Sequence, residues 1–113
     1  MTVRLATGLF VGALMRRVQA AGGTAMVLAR GDDTAGGLLV VCAERGEPKQ
    51  LIERGHDIDD RPVWRSIPLD LSHDGTRLGE YLATRRSRDP DLWAIELDIP
   101  DSERFAAEMI ATN

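Results

Sequence analysis

The chain has 113 residues, of which 43% are apolar and 28% are charged, and its formal net charge is −4. That length fits one domain with its own core, so we predict a single domain over residues 1–113. The composition is that of an ordinary globular protein, and the negative charge argues against a general nucleic-acid or membrane-surface binder.

The first part of the chain predicts a helix followed by a β-hairpin. Apolar residues recur at helical spacing over about Leu5–Ala21. Gly22 and Gly23 would end that helix, because glycine readily takes the left-handed conformation of a helix cap. The segments Thr24–Arg30 and Gly37–Glu44 are short and apolar, which is typical of strands, and the letters GDDTAGG between them are those of a loop.

The middle of the chain predicts two further strands separated by loops. The letters ERGEPK indicate a turn, so we place Glu47–Lys49 outside any strand. A weaker strand follows at about Gln50–Arg54. After the loop HDIDDR, the segment Pro62–Ile67 alternates like an edge strand, with the proline at its start.

The last third predicts a helix, a strand and a short terminal helix. Asp74 is a good N-cap for a helix that runs to about Arg88, and Pro90 closes it because the residue before proline avoids helical geometry. The strand Leu92–Leu97 is apolar on both faces, so it belongs inside the sheet, with Trp93 buried. The segment Asp101–Ile110 is an amphipathic helix.

The element order is therefore α-β-β-β-β-α-β-α. It predicts an α/β fold: a single domain with a mixed, mostly antiparallel sheet of about five strands and helices packed on it.

Three stretches together resemble one bacterial family, catalogued as domain of unknown function 1491. They are RLATGLFVGALMRRVQAAG near the start, ARGDDTAGGLLV in the middle and RDPDLWAIEL near the end, the last being the most specific. The resemblance covers about Arg4 to Leu97. It implies a single α/β domain in a bacterial cytoplasm, and it brings no catalytic residues with it.

An acidic loop is the weak candidate for a metal site. His56, Asp57, Asp59 and Asp60 are oxygen and imidazole ligands at short spacing, of the kind that hold Mg²⁺ or Mn²⁺. Aspartates and histidines are also common in exposed turns, and no established ligand motif is matched. We therefore predict no metal and no cofactor.

A metal-dependent nuclease is an alternative that rests on Glu47–Lys49. Its letters match the Glu-x-Lys of restriction-endonuclease-like enzymes, with Asp32 or Asp33 as the upstream acid. Those enzymes need the Glu and Lys on a strand, whose period of two points both side chains at one metal. The turn predicted here argues against this alternative.

Arginines form a second candidate site. Arg85, Arg86 and Arg88 crowd the end of the second helix, where cations oppose the negative end of the helix dipole. Together with Arg16 of the first helix they would form an anion or nucleic-acid patch. The aromatic residues are too few for a base-stacking platform.

Arg17 lies inside the apolar stripe of the first helix, on a side where a carboxylate partner would stabilise it. That helix has no acid of its own, so we name Asp89 or Asp91 as the partner. A structural clamp of Arg17 on either aspartate would tie the first helix to the start of the last strand. The alternative is an Arg17 side chain that extends to solvent.

These observations favour a non-catalytic interaction module or adaptor, because no nucleophile motif, metal motif or phosphate loop is present. The predicted partner is another protein or a second copy of the chain, which Phe105, Met109 and Ile110 could contact; nucleic acid is less favoured, and no membrane is involved. Cys42 is alone and fits a reducing cytoplasm. A signal peptide is disfavoured because Arg16 and Arg17 interrupt the apolar run.

Overall fold

The computed structural model describes residues 5–71 and 75–112, except for the side chains of residues 109–112. In this part of the chain the helices are α1 (Thr7–Ala20), α2 (Thr76–Arg88) and α3 (Ser102–Thr112). The strands are β1 (Thr24–Ala29), β2 (Leu38–Glu44), β3 (Glu47–His56), β4 (Pro62–Ile67) and β5 (Trp93–Asp98). The predicted α/β class and element order are confirmed. None of the described helices has the length and apolar character needed to cross a membrane.

The strands form one sheet in the order β1-β5-β2-β3-β4. β2 and β5 pair in parallel, and the other neighbours are antiparallel. The mixed, mostly antiparallel sheet is therefore as predicted. The chain returns through α2 to insert β5 between β1 and β2, which leaves β1 and β4 as the two edges.

The core lies on both faces of the sheet, because side chains alternate along each strand. On the first face, α1 and α3 cover Val40, Cys42, Trp93, Ile95 and Leu97 with Phe10, Leu14, Val18 and Ala106. On the second face, α2 lies over Leu39, Val41, Leu51, Leu92 and Ala94. Trp93 is 3% exposed, so its predicted burial is confirmed.

The strand β3 begins earlier than predicted. Arg45 and Gly46 both have positive φ angles, 53° and 80°, which make a tight turn directly into β3. The register then shifts beside Pro48, which pairs with Ala43. A bulge accommodates a proline within a sheet, and for this reason the predicted turn at Glu47–Lys49 is wrong.

The start of α2 and the end of α3 include residues that the structure does not describe. The predicted N-cap Asp74 lies outside the described residues, and α2 starts after Gly75, whose φ is 84°. Phe105 packs against the core of its own chain. The side chains of Met109 and Ile110 lie outside the described residues.

Candidate functional site

The β1–β2 loop (residues 30–37) packs tightly against the turn that precedes β5. The Asp32 amide donates to the Asp91 carbonyl at 3.0 Å, and the Trp93 amide donates to the Gly37 carbonyl at 2.8 Å. The Trp93 indole N–H donates to the Asp32 carbonyl at 2.8 Å. These bonds join the middle and last sequence stretches that carry the family resemblance.

The start of α1 closes the same junction. The Gly8 amide donates to the Asp33 carbonyl at 2.8 Å and the Thr7 amide to the Thr34 carbonyl at 3.2 Å. The Thr7 hydroxyl donates to the Gly36 carbonyl at 2.7 Å. Loop carbonyls thus satisfy amides that a helix start leaves without intrahelical partners. All three sequence stretches meet here, and the hydrogen bonds between them hold the loop, the start of α1 and the turn before β5 together.

A groove of about 480 Å³ runs from this junction between α1 and β1. Leu9, Gly12 and Val27 line it, Trp93 contributes to its wall, and Arg30 stands at one end. The Arg30 guanidinium lies 5.2 Å from the ring centroid of Trp93 and pairs with Asp33 at 3.0 Å. A Cβ atom at Gly12 would lie 3.2 Å from a guanidinium nitrogen of Arg16, so the Arg16 side chain lies over this glycine of α1.

The strand beside this groove is an exposed apolar edge. Met26, Val27 and Leu28 are 52%, 41% and 39% exposed, and Leu9 of α1 is 63% exposed. The segment Thr24–Ala29 has neither a charge nor a proline. We call these features together the β1 edge: strand β1, Leu9 and the groove between them.

The opposite edge of the sheet is protected. β4 begins with Pro62 and carries the exposed Arg65. α3 lies against it, and the Trp64 indole N–H donates to the Ala106 carbonyl at 2.9 Å. Proline, charge and a covering helix are the usual means by which proteins prevent a strand edge from pairing further. α1 covers one face of β1 in the same way. The difference is that β1 has neither the proline nor the charge, and has a bulge at Leu28 near the end of the strand.

The β1 edge cannot be identified from the local sequence. The letters of β1 and β2 are similarly apolar, yet β2 is almost fully buried and β1 is half exposed. The difference arises because β5 inserts between them. This is a long-range pairing that the local sequence does not indicate. The available signal is weaker: β1 has no polar residue after Thr24, although strands with a solvated face usually alternate.

The predicted arginine patch does not form. Arg16 is on α1 and Arg85, Arg86 and Arg88 are on α2, and these helices cover opposite faces of the sheet. Arg86 donates to the carbonyls of Arg30 and Pro90 at 3.0 and 3.1 Å. Arg16 and Arg88 are exposed but lie on different layers.

Arg85 has a fixed partner. Its guanidinium binds both carboxylate oxygens of Glu53 on β3, at 2.6 and 3.2 Å, and the Tyr81 hydroxyl at 2.8 Å. The hydrogen bond with Glu53 raises the pKa of Arg85 above its ordinary value. This pair joins α2 to the sheet and takes the arginine out of any surface patch.

The predicted clamp of Arg17 on Asp89 or Asp91 is also wrong. Arg17 pairs with Glu108 of α3 at 3.0 Å. α1 starts beside the β1–β2 loop and ends beside Ile99, so it runs alongside β5 in the same direction. Arg17, in its last turn, therefore lies at the far end of β5 from both aspartates.

The acidic loop folds around one aspartate. The Asp57 carboxylate accepts from the amides of Asp59 and Arg61, each at 2.9 Å. Asp60 has a φ of 59°, and the Arg65 side chain donates to the His56 carbonyl. Among the described residues no three His, Cys, Asp or Glu side chains gather to hold a metal ion.

The nuclease constellation is separated in space. Glu47 and Lys49 do lie on β3, and they pair with each other at 3.1 Å. Asp32 and Asp33 precede β2, whereas Glu47 pairs with Glu44 at the end of β2. The seven residues of β2 put about 20 Å between the two groups.

A larger cleft of about 840 Å³ lies at that far end, between the end of α1 and the β2–β3 turn. Its central carboxylate, Asp98, accepts from the amides of Arg45 and Gly46 at 2.9 and 2.7 Å. The carboxylate therefore holds the tight turn, and the cleft is a poorer candidate than the β1 edge.

The comparisons with known proteins agree with the fold. The family model described as "Protein of unknown function (DUF1491)" matches residues 5–107. A crystal structure of a DUF1491 family protein from Caulobacter crescentus is 30% identical, with a TM-score of 0.77 over 90% of this chain and 94% of that one. An NMR structure of a DUF1491 family protein from Caulobacter crescentus is also 30% identical, with a TM-score of 0.76 over 92% of this chain and 94% of that one.

A solution structure of protein Atu0922 from A. tumefaciens is 31% identical, with a TM-score of 0.66 over 86% of this chain and 87% of that one. No curated protein matches the sequence. The similar structures thus carry the fold and the family, and the function has to be argued from the surface.

Proposed function

Because this chain belongs to the DUF1491 family, whose model is described as a protein of unknown function, we propose its function from its own surface. It is a non-catalytic interaction module that binds an extended segment of another polypeptide along the β1 edge. The observation that carries this proposal is the uncharged, proline-free edge strand, half exposed, beside an apolar groove.

Strand addition supplies both the affinity and the selectivity of such a site. An edge strand presents a row of unpaired N–H and C=O groups, and a docked segment would pair with them. Its alternate side chains would point toward the groove beside Val27 and Leu9, and the others toward Met26 on the second face. Apolar side chains of the segment would be buried on the first of these faces.

The contrast between the two edges supports the proposal. β4 has a proline and a charge, whereas β1 has neither and has a bulge at Leu28. An exposed apolar edge favours aggregation unless a partner covers it. The geometry of the arginines gives no comparable support to nucleic-acid binding, since Arg85 is held by Glu53.

The test is partner capture with matched edge variants. Met26→Lys puts a charge on the β1 edge, and Ser66→Lys puts the same charge on β4. Tagged wild-type protein and both variants, each checked for native circular dichroism, are used to purify partners from the host bacterium with isotope-coded quantification. We expect proteins recovered with wild type and Ser66→Lys to be lost with Met26→Lys. Equal recovery with all three would contradict the proposal.

We also propose that the protein works in the cytoplasm. Cys42 is the one cysteine of the chain and is buried as a free thiol, which fits a reducing compartment. Fractionation of the host cells, with the protein detected by antibody, tests this placement.

A further inference from the structure

We propose that the polypeptide docked on β1 is a second copy of this protein, joined by antiparallel pairing of β1 with β1 of the other copy about a twofold axis. This proposal rests on the proposed function, since it names the occupant of the same edge. The resulting dimer would have one continuous sheet, with the α1 helices of both copies on the same face.

Self-pairing suits the chemistry of this edge. In an antiparallel pair related by a twofold axis, each outward N–H of one strand meets a C=O of the other, so one edge is its own complement. The axis is perpendicular to the sheet and preserves its faces. Ala25 and Val27, which share a face with Leu97 and Ile95, would meet the same residues of the second copy on the α1 side.

The helix beside the strand can accommodate the second copy. Leu9 is exposed at the rim of the groove, while the Asp33 carboxylate lies over Gly8 and the Arg16 guanidinium lies over Gly12. The two Leu9 side chains would therefore meet above the joined strands, and the α1 helices would be separated by these side chains.

Charge does not oppose this pairing along the strands. β1 has no charged residue, so no like charges face each other within the paired strands. Antiparallel pairing places Arg30, just after one strand, near the start of the other, where Gly22 and Gly23 carry no charge. The remaining repulsion is between two chains of net charge −4, which salt would screen.

The area of the interface sets the expected affinity of the dimer. Six residues of strand are about 20 Å long, and a sheet edge with one helix layer is about 20 Å deep, which gives a footprint of about 400 Å² per copy. Two such footprints fall below the roughly 1,200–2,000 Å² of stable specific interfaces. The dimer should therefore be weak and reversible, with a dissociation constant in the micromolar range or above.

Sedimentation velocity of the full chain tests the dimer. Wild type and Ser66→Lys should pass from monomer to dimer between about 1 µM and about 1 mM, more readily at higher salt. Met26→Lys should weaken this association at least about tenfold, because it brings two lysines together at the pairing strands. A wild-type monomer throughout this range, or dimerisation equal in Met26→Lys, would overturn the proposal.

Cysteine cross-linking tests the geometry. Directly opposed residues of antiparallel strands have Cα atoms about 4.5–5.5 Å apart, which suits a disulfide. In a scan of single cysteines from Thr24 to Val27, at least one variant should oxidise to a covalent dimer, whereas Ser66→Cys should not. The buried Cys42 gives no background in the native state. Absence of a cross-link across the whole scan would refute antiparallel β1 pairing.

The two proposals fail separately. If wild type remains monomeric while Met26→Lys loses captured partners, the dimer is wrong and a different polypeptide occupies the β1 edge. If wild type remains monomeric and capture is also unchanged, both proposals are wrong.

Discussion

At the scale of single residues, Gly36 is required by close packing. A Cβ atom at Gly36 would lie 2.1 Å from the Asp91 carbonyl oxygen, and one at Gly31 would lie 2.2 Å from the same atom. We expect Gly36→Ala to lower the free energy of unfolding by about 3 kcal/mol, because backbone on both sides must move. Urea denaturation measures the change.

Gly79→Ala is the control for that prediction. Gly79 lies inside α2, and a Cβ atom there would meet nothing within 4 Å. Alanine should therefore raise the stability by about 0.5–1 kcal/mol through helix propensity alone. A neutral Gly36→Ala would show that the loop and the turn before β5 can separate without cost.

The raised pKa of Glu96 makes the free energy of unfolding depend on pH. Burial raises the pKa of its carboxyl group above the ordinary 4.5, and the nearby Asp98 carboxylate raises it further. The folded protein then binds this proton more readily than the unfolded chain does. The contribution of Glu96 to stability therefore falls as pH rises from the ordinary pKa through the raised one.

We expect Glu96→Gln to be more stable than wild type at pH 7. The gain should disappear as the pH falls below 4.5, the ordinary pKa, where both states bind the proton. Urea denaturation of both proteins across this pH range measures the difference. A gain of constant size at every pH would show that packing, rather than titration, causes it.

At the scale of elements, α3 covers the thiol of Cys42. Burial raises the pKa of Cys42 to about 11, an effect that the hydrogen bond with Ser102 opposes and Glu103 reinforces. The thiolate is the reactive form, so the native protein should resist thiol reagents at neutral pH. The reaction rate then reports how often α3 leaves the sheet.

Trp64→Phe should increase that rate by about tenfold. It removes the indole N–H that donates to the Ala106 carbonyl of α3 and leaves most of the ring packing in place. Labelling with a chromogenic disulfide under native conditions measures the rate, and Ser66→Ala on the same strand serves as the control. An unchanged rate would mean that Cys42 is exposed by global unfolding, not by movement of α3.

The elements also show how far the sequence can predict this fold. Periodicity and helix-stop residues were sufficient for α1, β2 and β5, because each is determined by burial on a known period. The start of β3 was not predictable, since a bulge absorbs Pro48 and the turn shortens to Arg45 and Gly46. The local sequence also does not give the direction of α1 along β5. That direction brings Arg17 next to Glu108.

At the scale of the whole molecule, the two faces of the sheet are covered unequally. α1 buries five side chains, including Phe10, Leu14 and Val18. None of the thirteen residues of α2 is fully buried. Partly buried Leu78, Tyr81 and Leu82 hold α2 to the sheet, and the ion pair of Arg85 with Glu53 adds to this attachment. Because this layer is less buried than the other, it should open before the rest of the domain does.

Native-state hydrogen exchange tests this order. The amides of α2 should exchange through an opening of lower free energy than those of β2 and β5, which require global unfolding. Arg85→Met and Glu53→Gln should each lower the α2 opening energy by about 1 kcal/mol and leave the central strands nearly unchanged. A double-mutant cycle should give a coupling of similar size, because the pair is bidentate and partly shielded from solvent. If α2 and β2 exchange with equal free energies in wild type, the domain opens as one unit and the ion pair contributes to global stability instead.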